Sequence, residues 1–225
     1  MLDNDCVKIL SSKLTFWDKL TEEQKNLFCR YTSPAVYEKG ENIHGSTGNC
    51  TGGILIKSGC VRTYMLSDEG KEITLYRLYP GDICMLSASC VIKAITFDVF
   101  IDAEEKSEVF IINSKIFSEI SEKNIYVENF ALNIAAERFS DVIWAMQQIL
   151  FMSFDKRLAI FLSDEAAKTG SSTINLTHEQ IAKYMGSARE VVSRMLKYFA
   201  SEGIVELYRG GIKIVDMEKL IEIAE

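Results

Sequence analysis

The segment from Thr177 to Gly203 limits most tightly what this chain can fold into. Thr177-His178-Glu179-Gln180 has the form of a capping box: the threonine hydroxyl serves the backbone three residues on, and the glutamine side chain reaches back to the cap. It predicts a helix running to about Tyr184. Met185-Gly186-Ser187 then reads as a turn, because glycine at 186 is free to take the left-handed conformation that ends a helix. A second box, Ser187-Ala188-Arg189-Glu190, predicts a second helix that ends near Ser201, with Gly203 as its stop. Two capped helices joined by so short a turn form a helix-turn-helix. Ala182 is small where the helices should cross, and Ile181, Met185, Val192 and Met195 fall at buried positions around it.

The second helix separates its faces. At about 100° per residue, Arg189, Glu190, Ser193, Arg194 and Lys197 share an arc of roughly 140°, and Val191, Val192, Met195, Leu196 and Phe199 lie opposite. The first set suits readout in a major groove: arginine donates in a fork to guanine O6 and N7, and glutamate accepts from cytosine N4. Glu190 has a second reading as the capping partner of Ser187. Beyond Gly203, Ile204–Leu207 and Ile212–Val215 flank Tyr208-Arg209-Gly210-Gly211 as a β-hairpin, or wing. Thr177, Lys197, Arg209 and Lys213 are the candidate phosphate contacts, which add affinity without reading sequence. Net charge is −7, the wrong sign for a surface that grips nucleic acid everywhere. Residues 183–213, however, carry 6 basic and 3 acidic side chains, against 15 and 21 in residues 1–150, so positive charge is local.

From Val36 to about Ile112 the chain alternates β-rich runs with glycine turns. Gly53–Ile56, Cys60–Leu66, Glu72–Leu78, Phe97–Ile101 and Glu108–Ile112 read as strands, and Gly59, Gly70 and Gly81 recur every 11 residues. Regular strand-and-turn units predict a β-roll or sandwich. Helices are expected over Thr21–Tyr31, behind a threonine cap, and over Ser114–Ser121. Asn124–Phe151 holds no glycine or proline, and Leu132, Ala135, Phe139, Val142, Met146 and Ile149 follow the alternating three-and-four spacing of a helix-pairing seam. A second row, Ile134, Ile143 and Leu150, predicts that the helix also lies on its own β-domain. Phe154–Lys168 reads as a further helix and Thr173–Leu176 as a strand. The expected division is therefore α+β: an N-terminal β-roll of jelly-roll type with flanking helices over 1–123, a dimerisation helix over 124–151 and a winged helix-turn-helix over 152–225.

With 48% hydrophobic residues over 225 positions the chain can fill two cores. No apolar run approaches the roughly 20 residues that span a bilayer, and Met1–Lys8 lacks the pattern of a signal segment, so a cytoplasmic protein without a membrane partner is expected. All six cysteines lie in the first 90 residues, without the C-x2-C spacing of a zinc site, and are read as thiols.

At this point the residues resemble the Crp/Fnr family of bacterial transcription regulators. Gly186-Ser187-Ala188-Arg189-Glu190-Val191-Val192-Ser193-Arg194 is similar to that family's recognition-helix motif. Lys39-Gly40-Glu41, Gly59-Cys60-Val61-Arg62 and Pro80-Gly81-Asp82 are similar to its β-roll turns. The likeness covers nearly the whole chain. It implies a cyclic-nucleotide-binding-like β-roll, a long dimer helix and a winged helix, in that order, with a two-fold DNA operator and, for an activator, RNA polymerase as partners. It further implies base reading by Arg189, Glu190, Ser193 and Arg194, and half-sites containing TGA, with TGTGA the form Arg189 would favour.

The same resemblance argues against cyclic AMP. Family members that bind it carry a Gly-Glu pair after the Gly-Asp turn and an Arg-Ser pair further on; here Cys84-Met85-Leu86-Ser87 follows Gly81-Asp82-Ile83, and no arginine occurs between Arg77 and Arg138. The implied effector pocket is lined by Cys84, Met85, Leu86, Cys90 and Phe97, leaving thiol oxidation, metal or an apolar small molecule open as signals. Haem and an iron-sulfur cluster also stay open as signals, although the cysteine spacing does not favour a cluster and the one histidine outside the helix-turn-helix that haem would need, His44, falls in a stretch read as loop. A β-roll metal enzyme is disfavoured because such sites gather two or three histidines with a carboxylate, and the chain has two histidines in all. An interaction module whose winged helix contacts protein is the other alternative.

Overall fold

The computed structural model describes residues 4–45, 51–85 and 98–225, which fall into two compact units. The first comprises residues up to Leu66 and Leu75–Val142. It opens with helix α1 (Asn4–Lys13), a short 3-10 turn (Trp17–Lys19) and α2 (Glu22–Arg30). The Thr21 box forms as expected, with Thr21 Oγ1 accepting from Gln24 N and Gln24 Oε1 accepting from Thr21 N. Among the described residues the strands that follow are β1 (Thr32–Tyr37), β2 (Asn42–His44), β3 (Gly53–Ser58), β4 (Val61–Leu66), β5 (Glu72–Leu78), β6 (Ile83–Cys84), β7 (Phe100–Ala103) and β8 (Ser107–Ile112). They make two sheets, in the orders β1-β8-β3-β6 and β2-β7-β4-β5. Ile54, Ile56, Val61, Leu78, Ile101 and Val109 form one apolar core of this unit. The turns are tight: a Cβ on Gly59, whose φ is 87°, would lie 2.6 Å from the carbonyl oxygen of Lys106, so only glycine fits there.

Helix α3 (Ser114–Ser121), capped by the Asn113 side chain, leads into α4 (Ile125–Phe151). Phe16 and Phe28 each meet Phe117 edge-on in a second core that also takes Leu10 and Leu14 from the α1 region and Val127 and Ala131 from α4. The sequence reading missed α1 because its first residues are acidic and polar; its apolar side, Val7, Ile9 and Leu10, falls in the later part of the helix.

The second unit comprises Ser67–Thr74 with Ile143–Glu225. Helix α5 (Phe154–Thr169) ends on Gly170 in the left-handed conformation. Strand β9 (Thr173–Ile174), helices α6 (His178–Met185) and α7 (Arg189–Ser201), the hairpin β10 (Val205–Tyr208) and β11 (Gly211–Ile214), and α8 (Met217–Ala224) complete it. The sheet order is β10-β11-β9. Leu158, Leu162, Ile181, Val192, Leu196, Phe199, Ile212 and Leu220 are fully buried together, so the apolar sides of α5, α6, α7 and α8 share one core with the wing. Emptying Phe199 to alanine would cost about 3–5 kcal/mol, enough to unfold a domain this small.

Three expectations are corrected. The second capping box does not form: Ala188, extended at φ −85° and ψ 145°, is the N-cap of α7 and offers no side-chain cap, so Ser187 stands one residue too far back and Glu190 is not its partner. In the row expected to lie on the β-domain, Ile134 packs on the core but Ile143 and Leu150 are exposed. The half-buried positions of α4 beyond Ile134 include the polar residues Arg138 and Asp141. His44 lies on strand β2, its Nδ1 2.8 Å from Thr51 Oγ1, and not in a loop.

Candidate nucleic-acid interface

The helix-turn-helix is built from its caps inward. Thr177 Oγ1 accepts from Gln180 N (3.2 Å), while Gln180 Oε1 accepts from Thr177 N (2.9 Å) and from the Thr177 hydroxyl (3.0 Å). The hydroxyl proposed for phosphate is thus engaged in starting α6. Gly186 stops α6 at φ 59° and ψ 38°, and the amide of Ser187 donates to the carbonyl of Ala182. Ile181, Ala182 and Met185 of α6 are buried with Val192 and Leu196 of α7, which fixes how the second helix leaves the first.

With that side of α7 buried, the other side faces outward. Arg189, Glu190, Arg194 and Lys197 are exposed, Ser193 is half-buried, and these five alone line an open groove of about 380 Å³. All the proposed base-reading residues therefore share one accessible surface, carrying three cations and one carboxylate. Arg209 is exposed at the wing turn, beside Gly210 at φ 91°, and Lys213 on β11 lies 3.9 Å from Glu206 on β10, an exposed pair too loose to hold it back from a phosphate.

Two neighbours of this surface were not singled out from sequence. His178, the first residue of α6, has its imidazole pKa lowered by burial and then by the nearby charges of Arg189 and Lys197. Its position directly after the cap was the available signal. Ser67–Thr74 also reaches the site: Glu72 pairs with Lys183 (3.0 Å), the Thr74 hydroxyl donates to the Lys183 carbonyl (3.2 Å), and Ile73 packs against Gly186. Nothing in the local sequence pattern of either segment announces that contact.

Along α4, Leu132, Phe139, Met146 and Ile149 are exposed, and Ala135 and Val142 are half-buried. Of the residues expected to line an effector pocket, Cys84 and Met85 are buried in the first unit; Leu86, Cys90 and Phe97 lie outside the described residues. Cys60 is buried 3.6 Å from Glu104, and burial together with that carboxylate pushes its thiol pKa up to about 12. Among the described residues no cluster of three or more His, Cys, Asp or Glu side chains is placed to hold a metal ion, and no helix is long and apolar enough to cross a membrane.

A two-sheet β-domain, a long helix and a winged helix-turn-helix with a cationic outer face define a DNA-binding regulator with an attached N-terminal domain. Residues 156–223 match the Crp-like helix-turn-helix domain. A crystal structure of a crp/fnr-family protein from Eubacterium rectale is 44% identical, superposes with a TM-score of 0.91, and covers 95% of this chain and 99% of its own. Electron transport regulator A of Shewanella oneidensis is 27% identical over 81% of this chain and 75% of its own length. The cyclic AMP receptor protein of Thermus thermophilus is 25% identical over 91% of this chain and 94% of its own. The chain belongs to the Crp/Fnr family of transcription regulators.

Proposed function

We propose that two copies of this chain pair along α4 and place α7 of each in successive major grooves of a two-fold operator with TGA-containing half-sites. The observation that carries this reading is the single outward surface of α7, where Arg189, Glu190, Ser193, Arg194 and Lys197 meet around one groove while their helix is anchored from behind by Val192, Leu196 and Phe199. In this reading Arg194 and Arg189 donate to guanines and Glu190, released from any capping duty, accepts from cytosine. Lys197, Arg209, Lys213 and the Thr177 end of α6 hold phosphates. Residues 1–123 sense a signal other than a cyclic nucleotide, 124–151 pair the protomers and 152–225 read DNA.

The test is a mobility-shift titration of a palindromic TGTGA duplex and a scrambled duplex of equal length. Arg194→Ala loses about 1–3 kcal/mol of discrimination between them. Equal weakening on both duplexes, or no preference in the parent protein, overturns the assignment.

A further inference from the structure

The segment that turns from β4 into β5, Ser67–Thr74, belongs to the second unit, although β5 runs on into the first. It grips the end of α6 and the turn after it at three points. Glu72 pairs with Lys183 at 3.0 Å, and only 19% of the Glu72 side chain is exposed. The Thr74 hydroxyl donates to the Lys183 carbonyl at 3.2 Å, one of the last-turn carbonyls that a helix cannot satisfy from within. Ile73 lies against Gly186, its Cγ1 3.4 Å from where a Cβ would stand there. An ion pair, an apolar contact and a hydrogen bond thus fall on three consecutive residues.

Charge and place give this grip a consequence. Ser67–Thr74 carries three carboxylates, Asp68, Glu69 and Glu72, against one lysine. Gly70, Lys71 and Glu72 form one wall of a groove of about 380 Å³ whose other wall includes Ser187, Arg189 and Glu190. Arg189 and Glu190 also line the outward groove of α7, so the two grooves meet at the start of that helix. A recognition helix puts its N-terminal residues into the major groove, between two strands of phosphates. The acidic segment stands where one of those strands passes, and its Glu72 already holds a cation, Lys183, that a phosphate would take. Carboxylate and phosphate compete for one place with the same sign of charge.

We propose that Ser67–Thr74 is an autoinhibitory latch: docked on Lys183 and Gly186, it keeps the DNA backbone from the start of α7, and it swings off when DNA binds. The proposal rests on the reading of α7 as the DNA-reading helix and adds a control element to it. Apparent affinity is then the intrinsic affinity scaled by the fraction of molecules in which the latch is off. Strand β5 continues from Glu72 to Leu78, which is buried in the core of the first unit, so a shift of that strand reaches the latch directly.

The test compares the full-length parent with a Glu72→Gln, Thr74→Val double variant in mobility-shift titrations on the palindromic TGTGA duplex and the scrambled one. Removing the ion pair and the hydrogen bond tightens binding to both duplexes by about three- to tenfold. Asp68→Asn and Glu69→Gln remove the same charge from exposed positions of the segment and tighten binding by less than about twofold, which separates the latch from a general change of charge. Amide hydrogen exchange over residues 67–74 of the parent speeds up when saturating TGTGA duplex is added. If the parent binds DNA and the well-folded double variant binds no tighter, if Asp68→Asn or Glu69→Gln matches it, or if duplex slows exchange over 67–74, the latch is overturned while α7 keeps its role. If parent and variant alike leave both duplexes unbound, the reading of α7 falls and the latch with it.

Discussion

Phe139 offers the sharpest test of how two copies meet. Its side chain is 66% exposed in the isolated chain, in the middle of the Leu132–Ile149 row. Of the roughly 200 Å² that an aromatic side chain can bury, about 130 Å² is therefore open. If a facing helix covers about half of that, as knobs-into-holes packing does, each protomer buries ~65 Å² and the dimer ~130 Å². At ~25 cal/mol per Å² this is about 3 kcal/mol, or on the order of 100- to 200-fold in the dimer dissociation constant. The same substitution costs the isolated fold little, since Phe139 packs against almost nothing within its own chain. Sedimentation equilibrium of Phe139→Ala beside the parent protein measures the shift directly. A dimer constant changed by less than a few-fold, with an unchanged melting curve, refutes pairing through this face of α4.

Other outcomes follow from the same geometry. Arg209→Ala weakens binding about equally on operator and scrambled DNA and lowers the salt slope by about 1; a selective loss on the operator would give Arg209 a base contact instead. Burial and then the charges of Arg189 and Lys197 lower the His178 pKa, and DNA phosphates oppose those two charges and raise it again in the complex. Binding then takes up a proton, so affinity rises as pH falls through and below the ordinary imidazole value of about 6.5; His178→Gln flattens that dependence, and a parent protein with no slope contradicts it. Cys60, with its thiol pKa near 12, resists iodoacetamide at about pH 8 in the native protein and reacts on unfolding; rapid native alkylation at Cys60 would show that the burial is not maintained in solution.

The helix-turn-helix was legible because its signals are local. Thr177, Gln180 and Gly186 act through bonds to residues a few positions away, and the alternation of Val192, Leu196 and Phe199 with charged residues needs only helical geometry to sort the faces. The Ser187 box failed for a reason equally local but invisible in the letters: Ala188 takes the extended conformation and the cap with it. Helix α8 escaped notice although Asp216 caps it by accepting from Lys219 N, because no glutamate or glutamine stands where a box would place one. The contacts of Arg138 with the Tyr76 ring and of Glu72 with Lys183 join residues far apart in sequence, and only the tertiary fold decides them. The β-strands were read from glycine spacing, which marks turns well but strand ends poorly, so β8 begins at Ser107, one residue before the expected Glu108.

Selection of bound duplexes from a random double-stranded pool measures most directly whether α7 reads bases as a pair. The account predicts enrichment of inverted TGA-containing half-sites whose centres lie about one helical turn, ~10 base pairs, apart, and loss of that enrichment in Arg194→Ala. Recovery of no motif, of a solitary unpaired motif, or of the same motif from the Arg194 variant would contradict it.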